Sequence, residues 1–197
     1  MNGSERSDDL TLRQARDRYL AENGLGDGGY DARWITLKAG PIPIHLPNTQ
    51  ARIRAVRLHD LHHPLTGYGT TWTGESEIGA WEIASSCASH VAAWVLNLAA
   101  IAIGTAIAPR QTFRAFIRGR HSQNLYRESF DERLLAERVG AVRHRLSLDR
   151  PVPRGTIRDA LAFAAWSAAG IGLLVVSVAP LLLLGAGSIA LVRWASG

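Results

Sequence analysis

His59-Asp60-Leu61-His62-His63-Pro64-Leu65-Thr66-Gly67-Tyr68-Gly69-Thr70-Thr71-Trp72-Thr73-Gly74-Glu75 contains three of the chain's seven histidines within five residues. A Gly/Thr loop then leads to a glutamate. Upstream, Pro47-Asn48-Thr49 supplies a breaker and a cap, and Ile53 and Val56 recur at helical spacing, so Ala51–His63 reads as a helix ended by Pro64. With His59 at the origin of that helix, His63 falls at about 40° and Asp60 at about 100°. Val56 and Ile53 share this arc, so the polar trio lies on an apolar face; His62 lies off it, and Arg54 and Arg57 point to solvent. Burying such groups without partners costs several kcal/mol. Imidazole and carboxylate are the usual ligands of a borderline divalent metal. Thr73 is a plausible N-cap for the next helix, with Gly74 allowing close approach. Three glycines in the loop let that helix fold back and bring Glu75 in as a fourth ligand. His59, Asp60, His63 and Glu75 are therefore the candidate metal and catalytic residues. A buried polar network without metal is the competing reading.

The spacing H-D-x-x-H-x11-E formed by His59, Asp60, His63 and Glu75 resembles the signature of the family of the fourth coenzyme Q (ubiquinone) biosynthesis protein. The flanking Leu65-Thr66-Gly67-Tyr68 and Gly74-Glu75-x-Glu77-Ile78-x-Ala80-Trp81-Glu82 are also similar to that family. The resemblance covers residues 10–148 and is strongest over 58–82. It implies an all-α bundle, a bound divalent metal, usually zinc, and a polyprenylated aromatic acid as ligand. It further implies action at ring carbon one of that intermediate, replacing carboxyl by hydroxyl or hydrogen, and association with membranes and with other quinone-pathway proteins.

A mean hydropathy of zero hides two regimes, a charged chain and an apolar tail. The formal charge is +5, and 21 of the 22 basic residues are Arg. The single cysteine, Cys87, rules out an internal disulfide and fits a reducing compartment. Residues 1–24 carry no secretory h-region. Asn23–Tyr30 is glycine-rich but lacks a phosphate-binding pattern. His59-x-x-His62-His63 is also a box of the kind membrane di-iron desaturases use, but His45, His90, His121 and His144 stand alone. An HD phosphohydrolase needs an upstream histidine, and no G-x-S-x-G supports serine chemistry.

The expected organisation is a disordered tail over 1–9, an α-helical metal- and lipid-binding domain over 10–150, a linker over 151–159 and a C-terminal membrane span over 160–193. Leu10–Leu20 reads as a short amphipathic helix and Ala39–Pro47 as extended or turn. Glu75 to Pro109 reads as one helix. Its 27 residues after Glu82 carry no Asp, Glu, Lys or Arg, which suits a buried bundle helix or a membrane span. Glu82, Ser86, His90 and Asn97 form a polar stripe along it. Glu82, His90 and Asn97, with Tyr68 and Trp72 in the loop, are the candidate substrate-binding residues. Residues 110–159 hold twelve Arg against six acidic groups, with Arg110, Arg114, Arg118 and Arg120 near helical spacing, which suits anionic headgroups or a solvated face. Ser129–Leu148 reads as one helix.

From Ala160 to Val192 the chain carries no charge for 33 residues, long enough to span a bilayer. Arg150, Arg154 and Arg158 before it place the metal-site domain on the cytoplasmic side. So long an apolar tail departs from the family's common pattern. The expected fold is all-α, a helical bundle with a C-terminal transmembrane helix. The expected activity is carboxy-lyase-like, a metal-dependent and optionally oxidative decarboxylation at ring carbon one of a polyprenylated hydroxybenzoate. The alternative is a non-catalytic, membrane-tethered polyprenyl-lipid-binding scaffold for a quinone biosynthesis complex. The expected partners are the polyprenylated aromatic lipid, the membrane, other quinone biosynthesis proteins and further copies of this chain. Nucleic acid is not expected, because no reader motif accompanies the arginines.

Overall fold

The computed structural model describes residues 7–39 and 42–195, with 37–39, 42–44, 46 and 178–195 described by backbone alone. The fold is all-α: 65% of the chain is helical, in eight helices among the described residues. In chain order these are α1 (Leu12–Glu22), α2 (Gln50–Thr66), α3 (Trp72–Ser85), α4 (Val91–Ile107), α5 (Pro109–Arg120), α6 (Glu132–Ala136), α7 (Val139–Arg145) and α8 (Ile157–Ala195). Between α1 and α2 an antiparallel hairpin pairs β1 (Trp34–Ala39) with β2 (Ile42–Pro47), Trp34 opposite Pro47 and Ala39 opposite Ile42. Pro43 and Pro47, in the stretch read as extended or turn, therefore lie in a two-stranded ladder, where a strand with an unpaired side tolerates the missing N–H, and Pro41 lies outside the described residues.

Local chemistry explains the helix ends. Thr11 and Gln14 form a capping box at α1, and Thr49 caps α2 by accepting from Arg52 N–H. Pro64 does not stop α2: it sits in the last turn, and the helix closes at Gly67, whose φ of 78° is left-handed. Thr71, not Thr73, caps α3 by accepting from Gly74 N–H.

The expected single helix from Glu75 to Pro109 is broken in two. Ser86 and Ala88 take φ of 79° and 47°, and the chain turns back so that α3 and α4 pack on each other. Ser129–Leu148 is likewise two short helices, with Leu134, Leu135, Val139, Val142 and Leu146 all buried as expected. Residues 7–9 are held rather than loose: Arg143 pairs with Asp8 at 3.0 Å, and Arg138 donates to the Asp9 carbonyl. Residues 1–6 of the expected tail lie outside the described residues.

α3 is the central helix, packed between α4 and α5, with Ile78 and Trp81 fully buried. Each such side chain contributes about 1.5–3 kcal/mol by burial. The approach is close because glycines stand at the crossings. A Cβ on Gly119 would lie 2.3 Å from the Trp81 carbonyl oxygen, and one on Gly170 would lie 2.2 Å from that of Leu98.

α8 packs first on α5, Phe163 against Phe113 and Phe116, then on α4, where Ser167 and Thr105 hydroxyls meet at 2.9 Å. Residues Ile157–Ser177 are long and apolar enough to cross a membrane, with a mean hydropathy of 1.9 and only 11% of that window buried. α4, at 17 residues, is the shorter apolar helix.

Candidate metal centre

α2 and α3 meet at their facing ends, where the loop Gly67–Thr71 returns the chain. A Cβ on Gly74 would lie 2.2 Å from the Gly69 carbonyl oxygen, so the sharp return needs glycine there. It brings Glu75, in the first turn of α3, to the histidines of α2. The Nε2 atoms of His59 and His63 face each other at 3.2 Å. The Glu75 carboxylate lies 3.5 Å from each of them. These three residues form the group that could hold a metal ion among the described residues.

The proton positions on the two rings follow from their other nitrogens. His59 Nδ1 is 2.9 Å from Glu82 Oε1, an ionised acceptor, so it carries the hydrogen. His63 Nδ1 is 3.0 Å from the Tyr68 carbonyl oxygen, which only accepts, so it also carries the hydrogen. Two neutral rings would then point bare Nε2 lone pairs at each other and at a carboxylate. Such a trio repels itself unless a cation lies between. A tetrahedral ion bound at about 2.0–2.1 Å has ligand–ligand edges of about 3.3–3.4 Å, close to the separations here. The donor set therefore fits a metal ion.

Without the ion, a proton takes its place. Burial alone would lower the His59 pKa, but the Glu82 and Glu75 carboxylates outweigh it and raise it well above the usual histidine value. Burial and the His59 charge push His63 down to about 4. Burial opposes ionisation of Glu75, but its bond to His59 and the His59 charge hold it below the ordinary glutamate value.

Asp60 does not join the three. Its Oδ2 accepts from Tyr30 Oη–H at 2.5 Å, and burial raises its pKa. The helical arc placed it on the right side of α2 but not its side chain, which the glycine-rich segment before β1 claims through Tyr30. His62, off the arc, is nonetheless fully buried: its Nε2 accepts from Leu125 N–H at 3.0 Å, and its Nδ1–H donates to Glu82 Oε1 at 2.6 Å.

The expected polar stripe does not run along one helix. Glu82 and Asn97 stand on different helices and meet across the turn, Asn97 Nδ2 donating to Glu82 Oε2 at 2.5 Å. Both are buried. Tyr126 Oη–H also donates to Glu82 Oε2, at 2.7 Å. His90 is half-buried beside the Tyr126 ring, 5.0 Å between centroids. Tyr68 is half-buried under the Arg118 guanidinium, and Trp72 is 56% exposed. Arg118 donates to the Thr66 and Leu148 carbonyls, and Arg120 pairs with Asp159 at 2.8 Å. Two of the four arginines near helical spacing therefore serve the fold, and Arg110 and Arg114 remain exposed.

Sequence reasoning missed Tyr19, whose ring stacks on His63 at 4.7 Å, and the joint role of Glu82, His62 and Tyr126. One signal was present: Glu82 follows Glu75 by two helical turns, on the face that also buries Ile78. The centre is reached from the Glu75 side, where the carboxylate side chain is 37% exposed against 1% for His63. A cleft of about 350 Å³ opens beside His63, lined by Tyr19, Asn23, Pro64, Gly67 and Tyr68 among others. The chain matches no known family, no curated protein and no solved structure in the comparisons made.

Proposed function

We propose that this chain is a membrane-associated, metal-dependent carboxy-lyase-like protein. Its substrate class is a polyprenylated hydroxybenzoate, acted on at ring carbon one, as the resemblance of His59, Asp60, His63 and Glu75 to the fourth coenzyme Q biosynthesis protein implies. The observation that carries the reading is the convergence of the His59 and His63 Nε2 atoms and the Glu75 carboxylate within 4.8 Å of one another, with the Glu75 side chain 37% exposed. His59, His63 and Glu75 would hold a divalent ion, zinc by the same resemblance. Asp60, whose carboxylate is bonded to Tyr30, stays outside the ion's ligands in this proposal. When bound, the ion supplies a Lewis acid for the charge that builds on the ring oxygen.

The chain's own residues do the rest. Tyr19 and Tyr68 flank a cleft of a size that takes a ring. The bond from ring carbon one to the carboxyl carbon breaks, carbon dioxide leaves, and the electron pair left on the ring is taken up by a proton. Where hydroxyl is the product, molecular oxygen is the co-substrate that accepts those two electrons and leaves as hydrogen peroxide, and water supplies the hydroxyl. The prenyl tail is assigned to the apolar surface of α4 and α8, where Val95, Leu96 and Leu161 are exposed. α8 tethers the domain to the bilayer, with the arginines before it keeping the centre on the cytoplasmic side.

The test is release of labelled carbon dioxide from a ring-carboxyl-labelled prenyl hydroxybenzoate by detergent-solubilised protein under air. Release by wild type and not by Glu75→Ala supports the enzyme. No release from folded, metal-loaded wild type rejects it and favours the lipid-binding scaffold, for which the exposed apolar α4–α8 surface is the supporting observation.

A further inference from the structure

Glu82 has no solvent exposure. Burial opposes its ionisation, yet the His59 charge and the bonds to His59 and His62 outweigh it and hold the carboxylate well below the ordinary glutamate range. Four donors hold it. His59 Nδ1 and His62 Nδ1 reach Oε1 at 2.9 and 2.6 Å, and Asn97 Nδ2 and Tyr126 Oη reach Oε2 at 2.5 and 2.7 Å. A carboxylate offers about four lone-pair sites, and all are taken. No room is left for a proton, a water or a ligand. The donors come from α2, α4 and the segment before α6, so the carboxylate is fixed from three sides.

Only one of those donors belongs to the metal centre. His59 donates from Nδ1 to Glu82 and presents Nε2 to the ion's position, the relay that makes an imidazole a stronger ligand. His63, in contrast, donates to the neutral Tyr68 carbonyl. The charge balance agrees. A divalent cation held by two neutral imidazoles and Glu75 leaves one positive charge over, in a site walled by Tyr19 and His63. Glu82, one hydrogen bond behind His59, cancels it.

We propose that Glu82 is the counter-charge and positioning residue of the His59-His63-Glu75 centre, and that it sets how tightly the centre holds a divalent cation without touching it. This rests on the metal reading above. His62, Asn97 and Tyr126 act on the centre through Glu82. Tyr126 gains in this way a part in cation binding from the far side of the carboxylate.

The experiment uses the full chain in detergent, with Zn²⁺ titrated in competition with a chromophoric chelator. Visible absorption of the Co²⁺ form and far-UV circular dichroism are followed on the same samples. Glu82→Gln, isosteric and neutral, is expected to weaken Zn²⁺ binding by about 10–100-fold and to shift the cobalt bands, with helicity unchanged. Glu82→Asp recovers part of the affinity, which a loss of packing alone would not produce. Tyr126→Phe leaves every ligand in place and is expected to weaken binding by a smaller factor. A folded Glu82→Gln protein that binds Zn²⁺ as wild type does overturns the proposal. Should that variant not fold, wild-type affinity in Tyr126→Phe overturns it instead. Wild type that takes up neither Zn²⁺ nor Co²⁺ fails the metal reading itself and this inference with it. That outcome is distinct from a wild type that binds tightly beside an unaffected Glu82 variant.

Discussion

Adding a divalent ion to the metal-free protein near neutral pH is expected to release about one proton. His63 is already neutral there, since burial and the neighbouring His59 charge push its pKa to about 4. Glu75 is already ionised, because its bond to His59 outweighs the burial that opposes it. His59 alone holds a proton, favoured by Glu82 and Glu75 against the burial that would remove it, and it must lose that proton before Nε2 can bind an ion. Below the folded pKa of His59, affinity should therefore rise about tenfold per pH unit, or about 1.4 kcal/mol. The sign for stability is opposite. A raised histidine pKa stabilises the metal-free fold fully below the unfolded value of about 6.5, and that stability is lost as pH rises through the folded value. Metal-free protein should thus lose stability at alkaline pH while metal-loaded protein does not. Calorimetric titration of Zn²⁺ in two buffers of different ionisation enthalpy gives the proton count directly. A count of zero at pH 6–7 refutes the assignment of His59 as the protonated ligand. A count near two would likewise refute it, since it requires a second protonated group at the centre.

Three further outcomes follow from the packing. Gly119→Ala should destabilise the fold by about 1–3 kcal/mol, read as a lowered Tm, because the new methyl would lie 2.3 Å from a backbone oxygen of α3 that cannot yield; an unchanged Tm would show that the α3–α5 crossing is looser than described. Thr71→Ala removes the cap that accepts from Gly74 N–H and should cost about 1 kcal/mol. It should also weaken metal binding, since Glu75 sits in that first turn, and chelator competition measures this. Val176→Arg changes a residue that is 73% exposed. In water the cost would stay within about 0.5 kcal/mol, but in a bilayer centre it would be about 2.5–3.5 kcal/mol. Alkaline extraction of membranes should therefore release more of this variant than of wild type, and equal retention would argue against α8 as a span.

The amino-acid sequence alone determined the helical class, the cap and course of α2, the apolar stretch after Asp159, and three of the four residues read as one cluster, which the structure brings together. These are readable because each depends on residues within a few turns of one another. Period and capping set the helix, and the single glycine-rich return from α2 to α3 brings Glu75 within reach of His59 and His63. What lay beyond the sequence depends on which distant group satisfies each buried polar atom. Asp60 faced the correct arc, yet Tyr30 claims it from thirty residues upstream. Glu82 and Asn97 kept helical spacing through a helix that in fact breaks at Ser86 and Ala88, so their meeting is tertiary. His62 looked peripheral on the helical wheel, but Leu125 and Glu82 make it a core residue. A wheel records direction about one axis. Only the packing of α2, α3 and α4 decides whether that direction ends in water, at a metal's position or on a buried carboxylate.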